Sequence, residues 1–419
     1  MSIVFKTLTE NLVYRIPVIC KTQEGSLLAF CEKRYDGLSD TGKIEIVVKR
    51  SLDNGKYWSN EIVVFSDGYN TCGNPCPIIS NDGTIYLIFT WNDGKYNERD
   101  ILKGKSKRVP YYTKSIDDGI TWEVSKKLKG DITEDNWFWY ATGPNIGLEI
   151  DNRLIVACNH SENSDKPVYK AHVLFSDDKG LSWSKSESLD INTNESGVVE
   201  FNNKTIVVSR VQGKTKRYIS ISDDKGETFN KTYLSSFKTG ICQGSVIKFK
   251  EYIVVSAPIN NNRDKLTFNF SKDLETWHKK TVYLGPSGYS SLVKLDEESI
   301  GVFYERDNYS KLYFQTIKFD SLFEEDKPEY IWGFTKKYYN NEEKIKKDID
   351  FNKELSLYFD QVSEVWEDDC LSIIVCIDNI NFIVNFDRMK MYSLKKNFDI
   401  ETNRNLSIKL KMYKKKNVL

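Results

Sequence analysis

The chain has 419 residues, and its 60 lysines and arginines balance 60 aspartates and glutamates. This balance excludes a net field that would draw the protein to nucleic acid, so any anion that it binds must be met by local arginines. The first residues lack a basic segment followed by a long apolar one, and no run of about 18 apolar residues occurs later. We therefore predict a cytoplasmic protein with no membrane span and no nucleic-acid partner.

The cysteines do not form a pattern that binds metal or builds a disulfide framework. The chain has eight of them, at positions 20, 31, 72, 76, 158, 242, 370 and 376. They make no pair of CxxC motifs, and only three histidines are available as further ligands. The sequence therefore predicts reduced thiols in the core, Cys72 and Cys76 included, and no metal site.

A short motif, S-x-D-x-G-x-x-W, recurs along the chain. Its copies lie at 51–58, 115–122, 176–183, 222–229 (with Phe in place of Trp) and 271–277 (without the Gly). The Ser and Asp side chains can bond to nearby backbone N–H groups, the Gly can take a positive φ, and the aromatic ring can pack on the sheet beneath. The motif, an Asp box, thus predicts a stapled hairpin, and we assign no chemistry to its residues.

The segments between the boxes have the composition of strands. Alternating or β-branched runs occur at 44–48, 84–89, 154–156 and 205–208. They predict strands of about 4 to 6 residues, with little helix before residue 320. Four such strands in each unit of about 50 residues are typical of the blades of a β-propeller. The predicted fold class is therefore all-β.

The composition changes after residue 323. A charged and polar stretch begins at 324, so we predict a boundary between a propeller over 1–323 and a linker with a small β-rich extension over 324–419. Residues 371–386 have the pattern of two strands about an Asp-Asn turn, and 406–412 alternates as an amphipathic strand. The extension is open to three roles: capping the propeller, binding glycan or contacting a second subunit.

A further motif, Tyr-Arg-Ile-Pro at 14–17, precedes the first box. It resembles the arginine motif of the sialidase family of glycoside hydrolases, and the resemblance continues in order through about residue 320. This resemblance implies a six-bladed propeller and an exo-α-sialidase that removes terminal sialic acid from sialylated glycans or sialosides. It implies no metal or organic cofactor.

Sialic acid carries a carboxylate on its anomeric carbon, so its site needs fixed positive charge. Arginine suits this task because its planar guanidinium binds a carboxylate through two parallel hydrogen bonds and stays charged. By position within its motifs, the family's three arginines correspond to Arg15, Arg210 and Arg263. We expect them at corresponding places on successive blades, where they can converge on the propeller axis.

The same carboxylate bears on the choice of nucleophile. An anionic nucleophile would be repelled by it, and sialidases are known exceptions among retaining glycosidases in using a tyrosine. The segment Gly-Pro-Ser-Gly-Tyr-Ser-Ser-Leu at 285–292 resembles the family's nucleophile segment, which makes Tyr289 the candidate. Glu195 matches the glutamate that accepts the phenolic proton.

The acid/base is expected in the segment just before the predicted strand 44–48, which leads to the first box. Asp36 and Asp40 both lie there, and the spacing of Asp40 from Arg15 resembles that of the family, so we choose Asp40. Protonating the leaving group and then deprotonating water asks for a pKa raised toward neutrality. Arg34 resembles a further arginine at the rim of the glycone pocket.

Three more positions follow from the resemblance. Glu305 matches the acid that orients the first arginine, so a supporting place behind Arg15 is expected for it. Asn74 stands where many bacterial members have an aspartate, and we include it among the substrate-binding residues. Trp137 and Trp139 lie in a segment that resembles the N-acyl and glycerol side of the pocket, and core packing is an equal alternative for both.

Other functions share parts of this pattern. A trans-sialidase or an intramolecular trans-sialidase has the same first half-reaction and differs in what resolves the intermediate. A sialic-acid-binding propeller without catalysis would share the arginines. The joint presence of Tyr289, Glu195 and Asp40 favours an enzyme over the last alternative, and the sequence leaves the oligomeric state open.

Overall fold

In a computed structural model of the protein, residues 2–7, 9–162 and 166–324 are described with their side chains. The chain divides into two compact units, 1–323 and 324–419. The second unit is described through the backbone of its strands: Tyr330–Ile331, Ser372–Ile377, Ile380–Asn385, Lys390–Tyr392, Asn397–Asp399 and Tyr413–Lys414.

The first unit is a six-bladed β-propeller, and each blade is an antiparallel sheet built around four strands. The strands of blade 1 are Val13–Lys21, Leu27–Arg34, Ile44–Ser51 and Ile62–Phe65. Those of blade 2 are Thr71–Ile79, Ile85–Asn92, Val109–Ser115 and Lys126–Lys127. Those of blade 3 are Trp137–Thr142, Arg153–Glu162, Tyr169–Ser176 and Trp183–Lys185, with the short pieces Gly130–Asp131 and Leu148–Ile150. Those of blade 4 are Thr193–Phe201, Lys204–Val211, Arg217–Ser222 and Lys231–Leu234.

Blades 5 and 6 share one long strand. Blade 5 consists of Ser245–Phe249, Tyr252–Pro258, Asp264–Ser271 and the first half of His278–Lys294, and blade 6 of the second half, Ser299–Arg306, Lys311–Lys318 and Ser2–Lys6. The first strands of the blades contact one another around the ring, and a hydrogen bond of 3.2 Å from Ser196 N to Gly143 O joins blades 3 and 4. These first strands therefore surround the common axis.

The ring is closed by the start of the chain. Strand Ser2–Lys6 pairs with Lys311–Lys318 and completes blade 6. In the other blades an Asp box links the third strand to the fourth, whereas in blade 6 these two strands come from opposite ends of the chain. This explains why five boxes serve six blades.

The Asp boxes are stapled hairpins, as predicted. In the first box the Ser51 hydroxyl donates to Asp53 Oδ1 at 2.8 Å, and the backbone N–H of Gly55 donates to Ser51 Oγ at 2.8 Å. Boxes two to four repeat this geometry. The fifth box has no Gly, and Leu274 takes the left-handed turn with φ +68°. The ring of Trp58 packs against Phe314 of the neighbouring blade at 5.6 Å between centroids.

Gly55 is expected to tolerate no side chain, because its position combines strain with a close contact. Its φ is +84°, and a Cβ there would lie 2.2 Å from Phe314 Cε1. Gly83 has φ +85° with nothing within 4 Å, so it is a matched control. Both alanine variants should lose roughly 1–2 kcal/mol of unfolding free energy, because alanine is strained in the left-handed conformation. Gly55→Ala should lose about 1–3 kcal/mol more because of the clash with Phe314. Urea unfolding measures both, and equal losses would contradict this account of the box.

Helix is scarce, as predicted: the described residues contain one α-helix, Glu98–Leu102, and one 3₁₀ turn, Phe319–Leu322. Within the described residues, no helix is long and apolar enough to cross a membrane. The six cysteines of the described first unit are buried free thiols, which confirms their core assignment. In the second unit the predicted hairpin at 371–386 is confirmed by antiparallel pairing of Ser372–Ile377 with Ile380–Asn385, and 406–412 lies outside the described residues.

Two buried histidines form a neutral cluster in blade 3. His160 Nδ1 and His172 Nδ1 are 3.0 Å apart, and the Tyr140 hydroxyl lies 2.7 Å from His172 Nε2. Trp137 stacks on His160 with ring centroids 3.3 Å apart. Burial lowers the pKa of His160 to about 3 and that of His172 well below its usual value. Trp137 is therefore a core residue.

This pair is expected to make the protein acid-sensitive. Because the folded pKa values lie below the unfolded value near 6.5, the unfolded state binds more protons as the pH falls. Stability should therefore drop from pH 6.5 to 5 by up to about 1.4 kcal/mol per pH unit for each histidine. Urea midpoints across this range measure the slope, which His160→Asn should flatten. The exposed His278→Gln is the control, and a slope unchanged by His160→Asn would contradict the prediction.

Candidate active site

Five first strands have a register shift near their beginning, one of them between Trp137 and Trp139 in blade 3. The other four are β-bulges after Arg15, between Gly73 and Cys76, between Thr193 and Ser196, and between Ser287 and Ser290. Bulges of this kind re-aim a side chain and are common beside active sites. The residues at or inside them are Arg15, Asn74, Glu195 and Tyr289, all predicted from the sequence. The bulges therefore turn predicted site residues out of the regular strand pattern.

Arg15 and Glu305 form a buried pair. Arg15 Nε donates to Glu305 Oε1 at 2.6 Å and Nη2 to Oε2 at 3.2 Å. The same carboxylate accepts the backbone N–H groups of Ile16 and Tyr289 at 3.1 and 2.8 Å. Although burial disfavours the charge on Arg15, the carboxylate outweighs it and raises the pKa of Arg15. Glu305 thus fixes the first arginine and the backbone of the candidate nucleophile together.

Tyr289 and Glu195 are hydrogen-bonded. The Tyr289 hydroxyl donates to Glu195 Oε1, and Arg210 Nη1 donates to Glu195 Oε2 at 2.6 Å. Burial, followed by the negative charge of Glu195, raises the pKa of Tyr289 well above its usual value. Tyr289 is therefore a protonated phenol whose proton already points at a carboxylate.

The three arginines converge on Tyr289. The guanidinium carbons of Arg15 and Arg263 each lie 5.5 Å from the centre of its ring, and Arg210 reaches it through Glu195. Our expectation of corresponding places on successive blades is wrong. Arg15 lies in the first strand of blade 1, Arg210 in the second strand of blade 4, and Arg263 in the turn after the second strand of blade 5. Convergence comes from bulges and turns at one end of the ring, so equivalent positions are not needed.

Asp40 lies at the rim of this site, in the turn between the second and third strands of blade 1. Arg34 Nη1 donates to Asp40 Oδ1 at 2.6 Å, while its Nε and Nη2 bond to the buried Glu32. The Asp40 side chain is 82% exposed and accessible to a substrate. Asp36 is engaged elsewhere, where it accepts the Lys43 backbone N–H at 3.3 Å.

The pKa of Asp40 departs from our expectation. Desolvation in the mouth of the cleft acts to raise it, but Arg34 and then Arg15 outweigh this effect and lower the pKa below its usual value. The expectation of a raised value is wrong, because the positive charges of Arg34 and Arg15 stabilise the Asp40 anion.

Asn74 lies in the bulge of blade 2, with φ +55°. Its side-chain Nδ2 donates to Thr142 O at 3.0 Å, and its Oδ1 accepts a weak bond of 3.4 Å from Arg108 Nη2. Its backbone N–H donates to Glu32 at 2.8 Å. Asn74 thus connects blade 2 to blade 3, and its role in substrate binding stays a prediction.

A cleft of about 840 Å³ opens beside Asp40. Residues that sequence reasoning missed lie on it or behind it. Glu98 accepts a hydrogen bond from Tyr169, and desolvation raises the pKa of Glu98. The nearly buried Arg108 lies behind the wall, with its guanidinium carbon 4.7 Å from the ring centre of Trp139, which lines the cleft. Glu98, Tyr169 and Arg108 stand in no recognisable motif, so only the tertiary structure reveals them.

Comparison with known proteins places the chain in a family. A family model described as a BNR repeat-like domain matches residues 25–302. The chain belongs to this family. It is 27% identical over 335 residues to an exo-alpha-sialidase of Aspergillus fumigatus, which covers 71% of this chain and 79% of that protein. It is 28% identical over 290 residues to a sialidase of Clostridium perfringens, covering 62% of this chain and 74% of that protein.

Among solved structures, the BNR-repeat chain resembles Hadza microbial sialidase Hz136. The TM-score is 0.67 at 24% identity, covering 74% of this chain and 66% of that one. It also resembles the intramolecular trans-sialidase from Ruminococcus gnavus with a TM-score of 0.63 at 17% identity, covering 77% and 98% of the two chains. These likenesses show the fold, and they confirm the six-bladed propeller that the family resemblance implied.

Proposed function

We propose that this protein is an exo-α-sialidase that hydrolyses terminal sialosides with retention of configuration. The observation that carries the proposal is the convergence of three arginines on a tyrosine whose hydroxyl donates to a carboxylate. Fixed positive charge around a phenol suits a substrate that is itself anionic at the reacting carbon.

Substrate binding rests on the arginines. Arg15, Arg210 and Arg263 bind the C1 carboxylate of the sialic acid. Glu305 holds Arg15 through two bonds, so little side-chain freedom remains to be lost when the carboxylate arrives.

Bond formation uses the Tyr289–Glu195 pair. Because the phenol has a raised pKa, its proton leaves only as the new bond forms, and Glu195 Oε1 accepts it. The phenolic oxygen bonds to the anomeric carbon C2, the bond from C2 to the aglycone oxygen breaks, and Asp40 gives that oxygen a proton. Arg210 stabilises the anionic form of Glu195 before the transfer.

Hydrolysis of the intermediate reverses these roles. Asp40, now a carboxylate, takes a proton from water as the water oxygen bonds to C2. The C2–O(Tyr289) bond breaks, and Glu195 returns the proton to the phenolate. Two displacements at one carbon leave its configuration unchanged.

The lowered pKa of Asp40 is compatible with these reaction steps once the negative charge of the substrate is taken into account. A carboxylate bound among the arginines offsets the positive charge that holds Asp40 ionised. Binding the substrate therefore raises the pKa of Asp40, and the acid gains its proton when it is needed.

The test is release of 4-methylumbelliferone from its α-sialoside, with the sugar product followed by mass and by proton NMR. We expect free α-sialic acid as the first product. A 2,7-anhydro product would show that the protein is an intramolecular trans-sialidase instead of a hydrolase. Transfer of the sugar to added lactose would show that it is a trans-sialidase. A folded protein that turns over none of several sialosides would exclude the enzyme.

A further inference from the structure

The loop 307–309 has an unusual backbone. Asp307, Asn308 and Tyr309 have φ values of +52°, +55° and +69°, so three consecutive residues other than glycine are left-handed. For a bulky residue such as Tyr309 this conformation is uncommon and costs roughly 1–2 kcal/mol. Such strain persists where the surrounding structure over-determines it, and it clusters at functional sites.

The loop is held from both sides. The Tyr283 hydroxyl donates to Asp307 Oδ1 at 3.0 Å, and the Asp307 N–H donates to Pro286 O at 3.2 Å. On the other side the hydroxyl of Thr7, just after the strand that closes the ring, donates to Tyr309 O at 3.2 Å. These bonds fix the backbone and therefore the direction of the Tyr309 side chain.

That side chain joins two of the three arginines. The guanidinium carbon of Arg15 lies 4.2 Å from the centre of the Tyr309 ring, a cation–π contact closer than the one with Tyr289. The Tyr309 hydroxyl accepts a hydrogen bond of 3.2 Å from Arg263 Nη1. One side chain thus fixes the plane of the first guanidinium and one nitrogen of the second.

The residue before the candidate nucleophile leaves room for this arrangement. A Cβ at Gly288 would lie 2.1 Å from Glu305 Oε2 and 2.9 Å from Tyr309 Cε1. Only glycine therefore lets the carboxylate and the ring approach Arg15 together.

We propose that Tyr309 is a positioning residue that pre-organises Arg15 and Arg263 for the substrate carboxylate. The inference rests on the proposed sialidase function and deepens it. The carboxylate is not a reacting group and keeps its charge from the ground state to the transition state, so we expect Tyr309 to act on substrate affinity more than on the chemical step.

The test compares Tyr309→Phe and Tyr309→Leu with the wild-type protein on an aryl sialoside. Tyr309→Phe loses the hydrogen bond to Arg263, and KM should rise about tenfold with kcat within about twofold. Tyr309→Leu also loses the ring over Arg15, and KM should rise roughly fiftyfold. Tyr233→Phe is the matched control, because its hydroxyl bonds only to Leu274 O at 3.3 Å in the described residues, away from the site.

A second readout separates positioning from general damage. Binding is measured for 2,3-didehydro sialic acid and for its analogue with a hydroxymethyl group in place of the carboxylate. The variants should lose affinity for the carboxylate only, and equal losses for both ligands, or an unchanged KM, would overturn the inference while leaving the proposed function intact. A wild-type protein that neither hydrolyses sialosides nor binds the carboxylate ligand would overturn both.

Discussion

Tyr289→Phe is expected to lower kcat/KM for sialosides by about 10⁴-fold or more. The substitution removes the atom that bonds to C2, and losses of this size are usual when a nucleophile is deleted. The ring remains, with its contacts to Arg15 and Arg263, so the affinity for sialic acid should stay within a few-fold. Initial rates on the aryl sialoside measure kcat/KM, and calorimetric titration with sialic acid measures the affinity.

The control for this prediction is Tyr233→Phe, which removes a half-buried phenolic hydroxyl elsewhere in the propeller. It should leave both kcat/KM and affinity unchanged. Turnover by Tyr289→Phe within about tenfold of the wild type would mean that another group, or water itself, attacks the substrate.

Asp40→Asn is expected to separate substrates by their leaving groups. With sialyllactose, whose aglycone leaves as an alkoxide, kcat/KM should fall by about 10²–10⁴-fold because the acid is lost. The aglycone of the aryl sialoside leaves as a phenolate, which needs no proton from an acid, so kcat/KM for this substrate should change little. Its kcat should still fall, because the same residue is the base that activates water in the second step.

Asp36→Asn tests the choice between the two aspartates. Asp36 accepts a backbone hydrogen bond within its own turn. The Asp36→Asn variant should therefore turn over both substrates at rates within a few-fold of those of the wild type. If Asp36→Asn rather than Asp40→Asn discriminated between the leaving groups, the acid/base assignment would be wrong.

The parts of the fold that the sequence predicted are those with local causes. Each Asp box closes through bonds among residues at most a few positions apart, as Ser51, Asp53 and Gly55 show. The motif therefore specifies the hairpin wherever it occurs. The closing strand Ser2–Lys6 was not predicted, because its partner lies some 300 residues away and no local pattern joins them.

The candidate site was predicted through motifs, and its geometry was not. The segments around Arg15 and Tyr289 indicated the residues, but the bulges that re-aim their side chains have no signature in the sequence. Trp137 and Trp139 had two open roles, and only the tertiary structure places Trp137 on His160 and Trp139 at the cleft. Tyr309 was not predicted, because its proposed role depends on a strained backbone and on two arginines that are distant in sequence.

The most direct test of the central claim is to trap the intermediate with 2,3-difluorosialic acid. The fluorine at C3 slows both displacements, and the fluoride at C2 leaves easily enough for the first to occur. We predict that the intact protein gains the mass of one 3-fluorosialosyl group and that peptide mapping places it on Tyr289. A sialosyl group on Glu195, or on any residue other than Tyr289, would contradict the account.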